Sequence, residues 1–151
     1  MDARLRIRPV DGASFEAAFG LLRRFFREEG FGTPAGAMRA ALHGLLADPA
    51  SAVYLAWRGQ QAVGVATVTT TAGLEYGRCA EMEDLYVLPE ARHSGVATAL
   101  IAAVAAWCRA QGCTALQIIV TPEGEAQHGL VDYYARRGFA HTGRVVLEQR
   151  L

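Results

Sequence analysis
From Glu83 to Ala97 the chain reads Glu-Asp-Leu-Tyr-Val-Leu-Pro-Glu-Ala-Arg-His-Ser-Gly-Val-Ala, and two kinds of chemistry sit in or beside it. A strand runs into a tight turn begun by Pro89 that opens a helix, with Arg92, Gly95 and Ala97 at the bend. A helix started this way aims several unpaired backbone N–H groups and the positive end of its dipole at one point, which suits a diphosphate. Gly95 lets a ligand approach the backbone, and Ala97 keeps the first helical turn slim. No Gly-x-Gly-x-x-Gly dinucleotide loop is present, and no Lys-Ser or Lys-Thr pair closes the helix start as a P-loop requires. Within the strand, Glu81 and Glu83 are two apart and share a face by the period of two, whereas Asp84 is expected to point the other way as a structural residue.

The elements that must hold these groups follow from pattern. Arg4 to Val10 alternates as a half-buried strand until Pro9 interrupts it. Asp11 or Ser14 can cap a helix in which Phe15, Ala18, Phe19, Leu22, Phe25 and Phe26 recur at three and four residues, ending near Gly30. Thr33 and Pro34 mark a second helix running to about Ala47, before Asp48 and Pro49 stop it. Val53 to Trp57 and Gln61 to Thr71 are rich in β-branched and aromatic residues and read as a hairpin about Arg58-Gly59-Gln60. A loop from Ala72 to Gly77 leads to a strand ending at Val87. Val96, Leu100, Ile101, Val104, Trp107 and Cys108 line one face of a helix that stops before Gly112, and Ala115 to Val120 is a short apolar strand. Glu125 to Arg137 reads as one helix, and Phe139 to Leu151 as a final strand or hairpin broken at Gly143. The order β-α-α-β-β-β-α-β-α-β predicts an α/β fold, a mixed sheet with helices on both faces.

Composition narrows the partners. A chain of 151 residues is expected to form a single domain over 1–151 with a sizeable core. Fifteen basic and fifteen acidic side chains cancel, and no run of like charge supplies the field that nucleic acid or an anionic membrane attracts. The apolar stretch from Val96 to Cys108 is too short to span a bilayer. The first ten residues read as a strand rather than a secretory signal. Three cysteines, Cys79, Cys108 and Cys113, never approach a Cys-x-x-Cys spacing, which argues against a disulfide framework and a zinc site and for a reducing cytoplasm. No metal is expected.

The run Val87-Leu88-Pro89-Glu90-Ala91-Arg92-His93-Ser94-Gly95-Val96-Ala97 resembles the acetyl-CoA signature of the GNAT superfamily of N-acetyltransferases, Arg/Gln-x-x-Gly-x-Gly/Ala after a strand ending Val-x-Pro. Tyr134-Ala135-Arg136-Arg137-Gly138-Phe139 is similar to the family's Tyr-x-x-x-Gly-Phe at the end of its last core helix. The resemblance covers essentially the whole chain. It implies a GNAT-like sheet splayed between the strand ending at Val87 and the strand Ala115 to Val120. The pantetheine arm of the cofactor, acetyl-CoA, would lie in the splay and pair with the backbone from Leu85 through Tyr86 and Val87 to Leu88 like an added strand. The diphosphate would rest on the turn formed by His93, Ser94, Gly95, Val96, Ala97 and Thr98. Arg92 either adds a side-chain contact or is a solvated loop residue. Where many members carry an asparagine that holds the coenzyme, Gln127 stands here with His128 beside it. Either can hydrogen-bond the pantetheine arm, or each is merely polar at a helix start.

Acetyl transfer to an amine needs a neutral amine, stabilisation of the charge developing on the carbonyl oxygen, and a proton for the leaving thiolate. An alkyl ammonium has a pKa of about 10, so a carboxylate must take its proton near neutral pH. Glu83, which matches the base in some relatives, and Glu81 are the candidates; a solvated strand face is the alternative. The resemblance makes Tyr134 the proton donor, while Tyr133, roughly 100° around the helix, is expected to pack. None of the three cysteines has a sequence-local histidine to activate it as an acyl carrier, which favours direct transfer in a ternary complex.

The family builds its acceptor pocket from the first two helices and the loop between the third and fourth strands, here Phe25, Phe26, Glu28, Glu29 and Phe31, with Glu75, Tyr76 and Arg78 opposite. Carboxylates among aromatic rings suit a small cationic amine, although phenylalanines at helical spacing equally build a core. The expected activity is thus acetyl-CoA-dependent N-acetylation of a primary amine on a small acceptor. A noncatalytic acyl-CoA sensor and a protein or peptide amine acetyltransferase are the alternatives. Relatives are often dimers, which leaves a homodimer open.

Overall fold
The computed structural model describes residues 4–151. These group into two compact units, one reaching to Ile118 and one spanning Ile119–Leu151.

The first unit is built on a five-stranded sheet in the order β1-β2-β3-β4-β5, with β1 Leu5–Pro9, β2 Ser51–Arg58, β3 Gln61–Gly73, β4 Gly77–Val87 and β5 Cys113–Gln117. All neighbours are antiparallel except β4 and β5, which run parallel. Pro9 is tolerated because β1 is an edge strand with a partner on one side only. The hairpin turn falls at Gly59-Gln60, where Gly59 takes φ 59° between the paired Arg58 and Gln61.

Helix α1, Phe15–Glu29, ends at left-handed Gly30 as its sequence dictates. Its start is fixed by reciprocal bonds in which the Ser14 amide donates to Asp11 Oδ1 and the Asp11 amide donates to Ser14 Oγ, each at 2.9 Å. Helix α2, Ala35–Ala47, is capped by Pro34 in extended geometry rather than by Thr33, one residue later than expected. Helix α3, Val96–Ala110, follows a short 3₁₀ turn over Pro89–Ala91. Residues 63 to 68 of β3 are buried without alternation, so both faces of the sheet are covered. A Cβ added at Gly64 would lie 3.0 Å from Val96 and Leu100, so the face carrying Gly64 and Ala66 supports α3. Tyr86, paired with Val65 on the other face, donates its hydroxyl to Glu28 of α1.

In the second unit the expected single helix from Glu125 to Arg137 is two short ones, α4 Pro122–His128 and α5 Leu130–Ala135. Gly129, at φ 58°, ends one and begins the other, a conformation that interrupts the helical ladder. The start moves upstream because the Thr121 hydroxyl accepts the Gly124 amide at 3.0 Å and Pro122 fills the first helical position.

Two strand expectations are corrected. β5 ends at Gln117, so Ile118 to Val120 lie outside it. The terminal strand is absent: 139–151 forms no regular element among the described residues, and Val145, Val146, Leu147 and Leu151 are exposed. Locally the chain turns instead, with left-handed Gly143 donating its amide to His141 Nδ1 and Arg144 donating to Thr142 Oγ1. Strand propensity without a ladder partner does not make a strand.

Candidate active site
The splay expected from the sequence is a feature of the first unit. β4 and β5 pair only from Arg78↔Cys113 to Glu81↔Gln117, while β4 continues to Val87. Beyond Glu81 the β5-facing edge of β4 has no ladder partner among the described strands, leaving a row of main-chain groups of the kind an extended ligand can pair with. Leu85, Tyr86, Val87 and Leu88 form that stretch, with the last three buried.

Beyond it the backbone turns sharply. His93 takes φ 60°, Gly95 takes φ 85°, and α3 begins at Val96 with no side-chain cap. The first amides of α3, those of Val96 and Ala97, have no acceptor within the helix, and Gly95 carries no side chain to cover them. An anion meets donors and the positive end of a dipole there. The open edge and the uncapped turn together fit the diphosphate and pantetheine parts of a coenzyme A ligand.

Two arginines hold this turn from the protein side. Arg92 folds back so that Nε donates to the Val87 carbonyl at 2.9 Å and Nη2 donates to Glu28 Oε2 at 3.0 Å. Arg58 at the end of β2, which the sequence did not single out, donates from Nη2 to Ser94 Oγ at 3.0 Å and to the Ser94 carbonyl at 3.2 Å. The Ser94 hydroxyl donates to the Ala91 carbonyl.

The carboxylate face differs from the period-two expectation. Thr67 pairs with Asp84 but Val68 pairs with Met82, so Glu83 is an extra residue in a β-bulge. The bulge resets the alternation. Asp84 therefore lies on the same face as Thr67, Thr69, Glu81 and Tyr86, correcting the expectation that it points away. Thr69 Oγ1 donates to Glu83 Oε1 at 3.0 Å, and the buried Thr67 hydroxyl donates to Asp84 Oδ2. Three carboxyl groups thus share the α1 face of the sheet. Burial pushes the Asp84 carboxyl above its ordinary value, opposed by the Thr67 bond and reinforced by Glu83. Burial, then the Glu83 charge, raises Glu81. Glu83 itself is exposed.

On the same side Phe25 stacks on Tyr86 at 5.5 Å, and Phe25, Phe26 and Phe31 meet edge to face, their centroids 5.2 to 6.2 Å apart. Phe31 is exposed and Glu29 half-buried. Glu28 has both oxygens engaged, Oε1 accepting from the Tyr86 hydroxyl at 2.7 Å and Oε2 from Arg92. Burial raises its pKa, but the bonds from Tyr86 and then Arg92 outweigh that and hold the carboxyl below its usual value. Glu75 and Tyr76 lie in the turn before β4, at the opposite end of that strand from the His93 turn. The Tyr76 carbonyl accepts from Thr114 Oγ1 at 2.6 Å, and Arg78 donates to Thr70 Oγ1 at 3.0 Å. A cavity of about 550 Å³ lined by Asp11, Phe15, Arg39 and His43 lies between the β1–α1 turn and α2 and includes none of these residues.

Within the second unit, Gln127 and His128 are exposed in the last turn of α4. Tyr134 is in α5, where its carbonyl accepts from the Arg137 amide at 2.9 Å and the Phe139 amide at 3.1 Å around left-handed Gly138. The Phe139 ring packs edge-on against Tyr134 at 5.5 Å. The Tyr-x-x-x-Gly-Phe run is therefore a helix-ending device that seats the tyrosine. Burial, then Tyr133, pushes the Tyr134 phenol up to about 12. Tyr133 packs as expected, with the Arg137 guanidinium 3.5 Å from its ring centroid.

A sheet that opens between β4 and β5, with an uncapped turn leading from β4 into α3, defines the class of α/β proteins with an open strand edge beside a helix start. The sequence pattern of the acetyltransferase (GNAT) family matches residues 15–139, and the chain belongs to that family. Its relatives include an aminoglycoside N(6')-acetyltransferase type 1 of Stenotrophomonas maltophilia, 37% identical over 106 residues, 67% of each chain. Another is the enzyme of the same description from Acinetobacter haemolyticus, 29% identical over 109 residues, 70% of this chain and 73% of the relative. Two further relatives of that description match over 49% and 50% of their own length. Among solved structures, aminoglycoside N-acetyltransferase AAC(6')-Iy in complex with CoA superposes with a TM-score of 0.86 at 25% identity, covering 99% of this chain and 97% of that one. Among the described residues no group of three His, Cys, Asp or Glu side chains is placed to hold a metal, and no helix is long and apolar enough to cross a membrane.

Proposed function
We propose that this acetyltransferase moves the acetyl group of acetyl-CoA to a primary amine of a small, cationic acceptor by direct attack in a ternary complex. The observation that carries the proposal is the junction of the open β4 edge with the uncapped start of α3, on a sheet whose other face presents Glu81, Glu83 and Asp84. The thioester supplies an activated acyl group. The coenzyme diphosphate binds the amides from His93 to Ala97, with Thr98 beside them, and the pantetheine arm pairs with the backbone from Leu85 to Leu88. An amide near Val87 meets the charge that develops on the carbonyl oxygen, because the other candidate, the Leu88 amide, already donates to the Val63 carbonyl at 2.9 Å. Glu83, oriented by Thr69, takes the proton of the acceptor ammonium directly or through water; Glu81 is the second candidate. Tyr134, whose phenol keeps its proton throughout the neutral range, donates to the thiolate. Gln127 or His128 steadies the arm. The acceptor wall comprises Phe26, Glu29 and Phe31, with Glu75 and Tyr76 as more distant contributors.

A cationic acceptor is supported by the clustered carboxylates and by the relatives' action on aminoglycosides, which carry several ammonium groups. Release of free thiol from acetyl-CoA, followed over a panel of aminoglycosides, polyamines, diamino acids and lysine peptides, tests it. Turnover confined to small polycations is the expected result. Turnover only with peptides makes the chain a protein acetyltransferase, and coenzyme A binding without thiol release in any arm makes it a sensor. The base is tested by substitution. With Glu83 as base, Glu83→Gln abolishes the acid limb of kcat/KM along with most of the rate. With Glu81 as base, Glu83→Gln keeps the limb and moves it to lower pH, because the charge that raises Glu81 is gone.

A further inference from the structure
Glu28 sits on α1 among the residues expected to form the acceptor wall, yet its charge is committed elsewhere. One oxygen accepts from Tyr86 of β4 and the other from Arg92 of the turn. The cavity beside it, about 190 Å³, is otherwise lined by Arg24 and Arg27, so a cation arriving there meets two guanidiniums and a carboxylate already paired. Arg92 is equally committed. Its Nε closes a loop onto the Val87 carbonyl across the 3₁₀ turn, and its guanidinium lies 5.7 Å from the Tyr86 ring centroid. The residue that follows it is left-handed His93, where the coenzyme turn begins.

From this geometry we infer that Glu28 is a positioning residue for coenzyme binding, acting through Arg92 rather than touching either substrate. The carboxylate holds the guanidinium in the one orientation that satisfies Val87 and α1 together. The entry of the turn is thereby clipped both to the end of β4 and to the first helix. Amides held in place before the ligand arrives lose less freedom when it binds. Without the carboxylate, Arg92 loses its anchor, the Val87 carbonyl loses a fixed donor, and the amides from His93 onward must be ordered by the ligand. The inference rests on coenzyme A binding at this turn.

The test is a double-mutant cycle read by titration calorimetry with coenzyme A, joined to steady-state kinetics. Glu28→Gln puts an amide where two donors need acceptors, and Arg92→Met removes the brace; each is expected to weaken coenzyme A about tenfold, the scale of a charge-assisted hydrogen bond. The double variant is expected to be no weaker than either single one. In Glu28→Gln the KM for acetyl-CoA rises, while kcat and the acceptor KM stay near the parent values. Arg92→Lys keeps the charge but cannot bridge Val87 and Glu28, so it is expected to lose as much affinity as Arg92→Met; it carries the test by itself should Glu28→Gln fail to fold. Full additivity, a loss confined to the acceptor KM, or parent-like binding by Arg92→Lys overturns the inference. A parent protein that gives no heat with coenzyme A refutes the coenzyme site instead, a different failure.

Discussion
At Gly64 the sheet leaves no room for a Cβ beneath the start of α3, so Gly64→Ala tests whether that contact sets the proposed coenzyme turn. The added methyl would lie 3.0 Å from Val96 Cγ1, 3.0 Å from Leu100 Cδ1 and 3.2 Å from the Tyr86 carbonyl oxygen. None of the three can retreat into solvent: Val96 is 1% exposed, Leu100 is 0%, and the third is backbone. Relief requires the first turn of α3 to move off β3 by a few tenths of an ångström. Overpacking of this kind costs about 1–3 kcal/mol, and alanine returns roughly 0.5 kcal/mol by restricting the unfolded chain. A net loss of about 1–2 kcal/mol lowers Tm by about 2–8 °C in a chain of this size. Because Val96 opens the helix whose amides are proposed to receive the diphosphate, coenzyme A affinity is expected to fall severalfold together with stability. Urea unfolding and calorimetric titration measure the two effects separately. A variant as stable as the parent refutes the packing claim. One that is destabilised yet binds coenzyme A unchanged refutes the link between the Gly64 contact and the proposed coenzyme turn.

Asp84 offers a linkage test with a definite sign. Its pKa is raised in the folded protein, so as pH climbs from the unfolded value near 3.8 the folded state holds a proton the unfolded chain has released, and stability falls through that window. Asp84→Asn, which keeps an acceptor for Thr67, is therefore expected to raise Tm at neutral pH, with the gain shrinking toward pH 3.8; a gain that does not depend on pH contradicts it. Glu28 acts in the opposite sense, its lowered pKa adding stability above the carboxylate range that is lost as pH falls through the folded value. Tyr134→Phe is expected to lower kcat more than it raises the KM for acetyl-CoA, and an unchanged kcat removes the phenol from proton transfer. Burial pushes the Cys108 thiol up to about 11 and also raises Cys79, so neither is a thiolate at neutral pH. Iodoacetamide treatment followed by assay is expected to leave activity intact, and rapid inactivation that acetyl-CoA prevents would point to an acyl-cysteine.

Legibility in the sequence followed the range of the interaction. The hairpin at Gly59, the end of α1 at Gly30 and the turn before α3 were readable because each is set by residues within a few positions of one another. The break at Gly129 was equally local, but Gly129 falls inside an otherwise helical pattern and only its positive φ reveals it as a boundary. The tail failed for another reason. Val145 to Leu147 have strand-forming side chains, and strand formation depends on a partner that the tail's own composition cannot specify.

The site shows the same division more sharply. Backbone donors at the start of α3 follow from Gly95 and its neighbours, so the uncapped turn itself could be placed from the sequence to within a residue or two. Its bracing could not, because Arg58 and Glu28 reach it from 36 and 64 residues away in the chain. Arg92 belongs to the signature and looks like a phosphate ligand, yet in the fold it faces inward to Val87 and Glu28. The carboxylates depend on a single inserted residue. With strict alternation along β4, Glu81 and Glu83 would share a face and Asp84 would oppose them. The bulge at Glu83 keeps that pair together and turns Asp84 onto the same side, where Thr67 receives it. The run of threonines in β3 was the available clue, since Thr67 and Thr69 mark a polar stripe through a buried strand that only polar partners on β4 can satisfy. A buried hydroxyl needs a partner, and the one-residue shift of the bulge delivers the Asp84 carboxyl to it on the face that strict alternation would have denied.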